Sequence, residues 1–282
     1  MAVVGATASG KTKLAIHMAK KHRCEIISFD SRQFYKELGV AVAKPNQTEL
    51  KEVPHHFINN LSIFDDFDVY QFAYACRQKI NELFKKYHSI VLVGGSGLYL
   101  QVALEGLDHL PPKNLKLRGQ LQKKLDEYGM EYLRNELKKR NPMKFNQIDV
   151  NNPQRLIRAI EIESVSERGK SLPSISTDFK IEKWAIHWER HTLYDRINKR
   201  VDQMMIEGML EEAKRLLPFQ KNNALQTVGY KELFDFLNGE ISLEDAVEKI
   251  KQHTRNYAKR QLTWFKRDPN IIWMPSEYFL KI

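Results

Sequence analysis

The sequence predicts an α/β protein: a parallel sheet flanked by helices, with an all-helical domain inserted. Apolar stretches at 1–4, 25–29 and 89–93 alternate with segments of helical periodicity, which is typical of a parallel sheet with helices on both faces. After residue 112 the pattern changes to charged helices, until an alternating strand at 184–188 returns the chain to the sheet. Ligands of such folds gather where the parallel strands end.

The helices follow from apolar residues that recur at helical spacing. The first is predicted over 13–22 and the second over 68–87. Two longer helices are predicted near the carboxyl end, at about 190–217 and 244–266. For 36–67, which contains two prolines and a pair of histidines, we expect irregular structure.

The change of pattern divides the chain into two domains. Residues 1–112 and 179–282 are assigned to the core domain, and 113–178 to an inserted helical domain that ends in the loop around Pro173. The stretch 113–170 contains 14 Lys and Arg against 8 Asp and Glu, and 249–267 contains 7 Lys and Arg with no acidic residue. With a net charge of +10, these stretches indicate a polyanionic partner.

The composition excludes several classes of protein. No apolar run approaches the ~20 residues that a membrane-spanning helix needs. The first residues lack the basic and apolar pattern of a signal peptide, so we expect a cytoplasmic protein. Cys24 and Cys76 are too few for a disulfide framework or a zinc site, and we interpret both as core thiols.

The most informative segment is a loop that matches the phosphate-loop pattern, in which two glycines flank four free positions before Lys and Thr. It comprises Gly5, Ala6, Thr7, Ala8, Ser9, Gly10, Lys11 and Thr12. The glycines allow a tight turn that points backbone N–H groups at one anion, at the N-terminus of the following helix. Lys11 supplies a positive charge for the terminal phosphate, and the Thr12 hydroxyl is suited to hold Mg²⁺. The loop therefore predicts a polyphosphate site.

The position of the nearest acidic residue argues against an ordinary phosphate-loop kinase. Such enzymes usually place an acid at the end of a later apolar strand to hold Mg²⁺, but the strand at 90–93 runs into Gly94. The acid instead follows the second strand, as Asp30, where a carboxylate suits either a metal ligand or a base. Two alternatives stay open here: a phosphate-loop kinase of a nucleoside or small metabolite, and an RNA-binding nucleotide switch.

Nine short segments, taken in order, resemble one known family. They are GATASGKT (5–12), DSRQFY (30–35), AKP (43–45), HHFI (55–58), GGSGLYL (94–100), NNPQRLIRAIE (151–161), LYDRINKRVDQM (193–204), VGYKE (228–232) and TRNYAKRQLTWFKR (254–267). The family is that of the tRNA dimethylallyltransferases, and the resemblance covers nearly the whole chain. It implies a P-loop NTPase-like core. Since two distant cysteines cannot form the zinc finger of the eukaryotic members, the chain resembles the bacterial type.

The resemblance implies a prenyl transfer with Mg²⁺ as cofactor. Dimethylallyl diphosphate would place its diphosphate in the loop, where Arg200 would act as a second cation beside Lys11 and Thr12. The dimethylallyl group would pass to the exocyclic N6 amine of the adenine that follows the tRNA anticodon on its 3′ side. Asp30 would accept the proton of that amine, whose lone pair is delocalised into the ring and reacts poorly without a base.

The resemblance also implies a set of tRNA contacts, in which the target adenine is flipped out of its stack. They are Asp30, Ser31, Arg32, Gln33, Ser96, Arg118, Gln154, Arg155, Leu156, Ile157 and Arg158. Ser96 stands where the family usually has Thr, so the hydroxyl is kept. The spacing places Gln154, Arg155 and Arg158 on adjoining turns of one helix, suited to RNA phosphates and bases. Nothing in the sequence indicates an extended subunit interface, so we expect a monomer.

Overall fold

The chain forms two compact units. The computed structural model describes residues 1–107, 110–111, 113–165, 172, 175 and 179–281. The first unit comprises Met1–Glu105 and Ser174–Ile282, and the second comprises Gly106–Pro173. The sequence-based boundaries at 112 and 178 and the predicted loop around Pro173 lie outside the described residues. The assignment of a substrate to each domain stays a prediction.

The described residues of the first unit build one six-stranded sheet, in which every neighbouring pair of strands is parallel. The strands are β1 (Ala2–Val4), β2 (Ile26–Ser28), β3 (His55–His56), β4 (Val91–Val93), β5 (Lys183–His187) and β6 (Ile271–Pro275). Their order across the sheet is β3-β2-β4-β1-β5-β6. Strands β1, β2 and β4 are fully buried, as central strands of a covered parallel sheet must be. The predicted α/β fold is confirmed.

Helices connect the strands and build the second unit. In chain order they are α1 (Lys11–His22), α2 (Gln47–Glu52), α3 (Val69–Phe84), α4 (Gly97–Glu105), α5 (Leu115–Arg140), α6 (Pro142–Gln147), α7 (Pro153–Glu163), α8 (Arg190–Ile206), α9 (Met209–Leu216), α10 (Tyr230–Leu237), α11 (Leu243–Phe265) and α12 (Ser276–Phe279). Among the described residues, no helix combines the length and the apolar character that crossing a membrane requires.

The core fixes the edge of the sheet at which the strands end. Leu14 and Ala15 on α1 pack against Val91 and Val93 on β4, within one buried apolar cluster. Because parallel strands end at the same edge, the segments that follow β1, β2 and β4 meet there. Those segments are the phosphate loop, the turn at Asp30 and the glycine pair that begins at Gly94.

Two expectations about secondary structure are wrong. The segment 36–67 is not irregular throughout, because a capping box of Asn46 and Glu49 starts α2 and because β3 pairs with β2. The helix expected over 190–217 is divided into α8 and α9 by Gly208, whose φ of 96° lies in the left-handed region. The short elements α10 and β6 were not expected at all, since eight and five residues give little periodicity.

The second unit is a small helical core formed by α5, α6 and α7. Helix α5 is interrupted at Gly129, where φ is 71° and ψ is −174°, a conformation that glycine adopts most readily. Both halves of α5 pack on α7 through an apolar cluster. Its buried members are Leu121, Leu133, Leu137, Leu156, Ile157, Ala159 and Ile160.

Candidate active site

The phosphate loop forms an anion cradle between β1 and α1. Gly5 and Gly10 have φ values of 134° and 94°, backbone conformations that glycine adopts far more readily than other residues. Gly10 caps α1, so the cradle lies at the positive end of the helix dipole. A side chain at Gly10 would also collide with the ring of Phe279, because a Cβ there would lie 2.3 Å from Cζ. Only glycine fits this position.

Two side chains, one directly after β5 and one on α8, hold the loop by its carbonyl groups. Trp188 Nε1 donates to the Ser9 carbonyl and Arg196 Nε donates to the Ala8 carbonyl, both at 2.9 Å. The Arg196 guanidinium lies over the Trp188 ring, 4.2 Å from its centroid. Ala8 has a φ of 60°, which is unfavourable for a residue with a Cβ. These bonds therefore stabilise a loop conformation that the loop's own sequence disfavours.

Gln261, on α11, connects the phosphate loop to the segment that follows β4. Its Oε1 accepts the Thr7 N–H at 2.8 Å, and its Nε2 donates to the Gly95 carbonyl at 2.9 Å. A Cβ at Gly95 would lie 2.1 Å from Nε2, so a larger residue there would displace the Gln261 amide from these bonds. Sequence analysis missed this role, although a buried glutamine in an apolar helical face was a signal for it.

Lys11 lies in the cradle with its charge poorly compensated. Its Nζ donates to the Ala6 carbonyl at 2.5 Å. Burial lowers the pKa of Lys11 to about 8, with Asp30 opposing the shift and Arg200 adding to it. A bound polyanion would supply the missing negative charge, so the electrostatics of the loop favour such a ligand.

Arg200, on α8, brings a second cation to the same place. Burial lowers its pKa from the ordinary value, and the negative charge of Asp30 opposes that change. Its Nη2 lies 3.5 Å from the Ala43 carbonyl, at the margin of a hydrogen bond. Asp30 is thus a neighbouring charge of both Arg200 and Lys11. Asp30 follows β2 and the loop with Lys11 follows β1, and these two strands are separated by β4 in the sheet.

Asp30 holds the turn that follows β2 and keeps one carboxylate oxygen available. Its Oδ1 accepts the Arg32 N–H at 3.0 Å, and its carbonyl accepts the Gln33 N–H at 3.3 Å. Aspartate side chains in turns commonly accept backbone N–H bonds of this kind. Oδ2, however, has no hydrogen-bond partner in the part of the chain that the structure describes. One oxygen therefore fixes the turn and the other is able to accept a proton.

A cavity of about 280 Å³ in the first unit joins these groups. Its polar lining includes Thr7, Lys11, Thr12, Asp30, Ser31, Arg32, Gln33 and Arg200. Its apolar lining includes Val42, Ile197, Val201, Met204, Met209, Val228 and Ile250. An anion-binding loop, a carboxylate and an apolar wall therefore share one cavity, which suits a ligand with a charged end and an apolar end.

Arg32 and Gln33 line the cavity, and both side chains donate hydrogen bonds to backbone carbonyl groups of neighbouring segments. Arg32 Nη1 donates to the Asn223 carbonyl at 3.1 Å. Gln33 Nε2 donates to the Ala43 carbonyl at 3.0 Å. Both side chains are thus held in place in this structure, and their expected contact with tRNA stays a prediction.

Ser96 links two segments at the edge of the sheet. Its Oγ accepts the Ser31 N–H at 3.2 Å and lies 3.3 Å from Ser31 Oγ. Burial raises the pKa of Tyr257 to about 12, while the positive charge of Arg32 and the nearby Ser96 hydroxyl partly offset that effect. Tyr257 also lines the cavity, which sequence analysis missed.

Two buried polar atoms near the loop have no hydrogen-bond partner within the described residues: Ser9 Oγ and His55 Nε2. Ser9 was expected to contact the diphosphate, but its side chain is only 2% exposed and does not line the cavity. His55 lies within 2.8 Å of the Val53 carbonyl through Nδ1, which therefore carries the proton. Burial lowers the pKa of His55, so the ring is neutral and Nε2 keeps its lone pair. That these two atoms lack a partner could not be recognised from the sequence.

In the second unit, two expected tRNA contacts meet at one buried carboxylate. Arg118 Nη2 donates to Glu161 at 2.8 Å and Arg158 Nη1 donates to it at 2.5 Å. Burial alone would raise the pKa of Glu161, but hydrogen bonds from both arginines and from the Asn114 N–H lower it to about 2. The arginine side chains stay 26% and 27% exposed, so each keeps surface for a further anion.

The remaining expected contacts on α7 divide by burial. Gln154 and Arg155 are exposed at the start of the helix and are accessible to RNA. Leu156 and Ile157 are 0% and 3% exposed and belong to the apolar cluster of the second unit. Their side chains form the core against which α5 packs. Both side chains therefore have a structural role, and the expected contact of this segment with tRNA stays a prediction.

The fold and the cavity define a class of protein: α/β proteins that hold a polyphosphate in a glycine-rich loop and present a carboxylate to it. A family model described as IPP transferase matches residues 33–268. The chain belongs to this IPP transferase family. The family resemblance that its sequence motifs carry is thereby confirmed.

Similar proteins match over nearly the whole chain. The chain is 45% identical over 277 residues to the tRNA dimethylallyltransferase of Christiangramia forsetii, covering 96% of this chain and 91% of that protein. The solved full-length tRNA isopentenylpyrophosphate transferase of Bacillus halodurans matches with a TM-score of 0.71 at 35% identity, over 97% of this chain and 88% of that one. A eukaryotic dimethylallyltransferase, solved in snapshots of its action on tRNA, matches with a TM-score of 0.74 at 25% identity. The match covers 97% of this chain and 73% of that one.

Proposed function

We propose that this protein is a tRNA dimethylallyltransferase. It transfers the dimethylallyl group of dimethylallyl diphosphate to the N6 amine of the adenine 3′-adjacent to the anticodon, and releases diphosphate. The observation that carries this proposal is the single cavity in which the phosphate loop, Asp30 and an apolar wall come together. The similar proteins described above are transferases that act on tRNA. None of the three is a kinase, so the kinase alternative gains no support from them.

The diphosphate of the donor binds in the phosphate loop. Lys11 and Arg200 face the same cavity and neutralise the negative charge of the diphosphate. This charge grows as the bond between the diphosphate oxygen and carbon breaks, so the two cations stabilise the leaving group. Within the described residues, no group of three or more His, Cys, Asp or Glu is arranged to hold a metal ion. The Thr12 hydroxyl lines the cavity and fits Mg²⁺, which commonly combines one or two protein ligands with phosphate oxygens and water. When bound, Mg²⁺ would add positive charge at the leaving group.

Asp30 acts as the base. The bond between C1 of the donor and the diphosphate oxygen breaks, and its electron pair leaves with the diphosphate. A bond forms between C1 and the adenine N6, and the N6 proton passes to Asp30 Oδ2, the oxygen that the turn leaves available. The apolar wall packs around the dimethylallyl group and limits access of water, which would otherwise compete with the adenine.

The tRNA substrate must present its adenine to this cavity in an extruded form, because the amine is inaccessible within the stacked anticodon loop. The basic second unit supplies exposed RNA contacts at Gln154 and Arg155, and partly exposed ones at Arg118 and Arg158. We expect the protein to work as a monomer in the cytoplasm, where its tRNA substrate is found.

The proposal is tested by replacing the base while keeping the cavity. Asp30→Asn should lower the rate of prenyl transfer by about 10²-fold or more, since general-base catalysis commonly contributes 10²–10⁴. Binding of dimethylallyl diphosphate, measured by calorimetry, should persist. The matched control is Asp195→Asn, which makes the same change at an exposed position of α8. Transfer that survives in Asp30→Asn at the level of this control would refute the assigned base. Phosphate release from ATP without prenyl transfer would return the protein to the kinase class.

A further inference from the structure

Glu212, on α9, is a buried acidic residue that the proposed chemistry does not use. It is 4% exposed, and its carboxylate accepts hydrogen bonds from three donors. Oε2 accepts the Val40 N–H at 2.8 Å, and Oε1 accepts the Ala41 N–H at 3.1 Å. Oε1 also accepts a bond from the Tyr230 hydroxyl at 2.6 Å. An ionised carboxylate offers acceptors only, so it matches this set of donors.

The two backbone donors belong to a short turn that has no side-chain cap of its own. Val40–Val42 form a 3₁₀ turn, which is closed by a bond from the Ala43 N–H to the Val40 carbonyl at 2.9 Å. Gly39 precedes this turn and has no side chain that could accept its first N–H groups. A Cβ at Gly39 would lie 2.6 Å from Glu212 Oε2, so a larger residue there would displace the carboxylate. Glu212 thus supplies, from 172 residues away, the cap that the local sequence lacks.

This turn is part of the cavity wall. Ala41 and Val42 line the cavity directly. The Ala43 carbonyl accepts the bond from Gln33 Nε2 and lies 3.5 Å from Arg200 Nη2. Ala43 has a φ of 49°, which is unfavourable for a residue with a Cβ. The turn therefore needs support from its surroundings, and the carboxylate behind it supplies that support.

The other two segments that Glu212 joins also contribute to the wall. Met209 precedes it by about one turn of α9, lines the cavity and is 1% exposed. Val228 and Gly229, which directly precede Tyr230, line the cavity as well. A Cβ at Gly229 would lie 2.5 Å from Met209 Cε, so these two segments approach each other closely. The carboxylate therefore lies behind the wall at the point where three of its segments meet.

We propose that Glu212 is a positioning residue for the apolar wall that receives the dimethylallyl group. The inference rests on the proposed function, which assigns that group to this wall. A glutamine at this position would have one acceptor atom in place of two, so at least one of the three donors would lose its partner. The segments that the carboxylate joins would then be held less closely. The wall would fit the dimethylallyl group less well and would admit more water.

The test compares two ligands that differ in the prenyl group. Dissociation constants for dimethylallyl diphosphate and for inorganic diphosphate are measured by calorimetry with wild type and with E212Q. The matched control is E211Q, which makes the same change at the neighbouring, exposed position of α9. E212Q should bind dimethylallyl diphosphate about tenfold more weakly, because a buried donor is left unpaired behind the wall. Its affinity for inorganic diphosphate should equal that of wild type, since the phosphate loop is built from other residues. Equal weakening of both ligands would refute the proposal.

The products formed in the presence of RNA give a second readout. In the competing hydrolysis, the bond between C1 and the diphosphate oxygen breaks, a water oxygen bonds to C1 and the water releases a proton, so that dimethylallyl alcohol forms. The ratio of this alcohol to prenylated RNA should rise several-fold in E212Q and stay at the wild-type value in E211Q. A smaller folded fraction would lower both products together and leave their ratio unchanged.

Y230F keeps the carboxylate and removes one of its donors, so it decides the question even if E212Q does not fold. Its effects should have the same direction as those of E212Q and be smaller. The double variant E212Q/Y230F should resemble E212Q, because Tyr230 acts through Glu212. If wild type prenylates RNA while Y230F and E212Q bind the donor as E211Q does, Glu212 does not position the wall. If wild type does not prenylate RNA at all, the proposed function fails first, and this inference with it.

Discussion

The depressed pKa of Lys11 leads to a quantitative prediction about donor binding. With a pKa of about 8 in the free protein, Lys11 is about half charged at pH 8. A bound diphosphate restores its pKa towards the ordinary value, so binding must take up protons. We expect an uptake of about 0.1 proton at pH 7 and about 0.5 at pH 8 from this group. Above pH 8 the affinity for the donor should fall by nearly tenfold for each pH unit.

The assay is calorimetric titration with dimethylallyl diphosphate in pairs of buffers that differ in ionisation enthalpy. The dependence of the observed heat on that enthalpy gives the number of protons taken up. Lys11→Arg is the control, because a guanidinium stays charged throughout this pH range. The donor's own titration occurs in both proteins and cancels in the difference. An uptake at pH 8 that is equal in wild type and Lys11→Arg would show that Lys11 binds the donor without a change in protonation, and would refute the electrostatic account of the loop.

Three further predictions concern the supports of the site. Lys11→Met should stabilise the ligand-free protein by about 2 kcal/mol. The lowered pKa of Lys11 corresponds to a cost of about 3 kcal/mol for burying its charge, and the variant removes this cost while losing one hydrogen bond. Its melting temperature should rise and its donor binding should be lost. Gln261→Leu leaves the Thr7 N–H and the Gly95 carbonyl unpaired, and should raise the dissociation constant for the donor about tenfold. Glu161→Gln should lower stability by about 3 kcal/mol at pH 7, measured by urea unfolding. The folded-state pKa of Glu161 is lowered, so this stability is present above about pH 4.5 and is lost as the pH falls towards 2; in the variant that loss should be absent.

The phosphate loop and Asp30 could be predicted from the sequence because their signals are local. The spacing of glycines before Lys11 defines the cradle within eight residues, and a carboxylate directly after a buried strand must lie at the edge of the sheet. The family resemblance then supplied the roles, including that of Arg200. Its proximity to Lys11 depends on α8 and could not be derived from local sequence.

The contacts that shape the loop could not be predicted, because they join residues far apart in the chain. Arg196 is 188 residues from Ala8, and Gln261 is 254 residues from Thr7. At Leu156 the family motif suggested RNA contact, whereas the apolar period of α7 indicated the core. In the structure the Leu156 side chain lies in that core, and contact of this segment with RNA stays a prediction.

The central claim is tested most directly by prenyl transfer to RNA. Dimethylallyl diphosphate labelled in its dimethylallyl group is incubated with the protein and an unmodified anticodon stem-loop that carries adenine on the 3′ side of the anticodon. The account predicts label in the RNA that depends on Mg²⁺ and is lost when that adenine is replaced by guanine. Label that is absent from the adenine-containing RNA, or that is equally abundant in the guanine-containing one, would contradict the assignment of this cavity to tRNA prenylation.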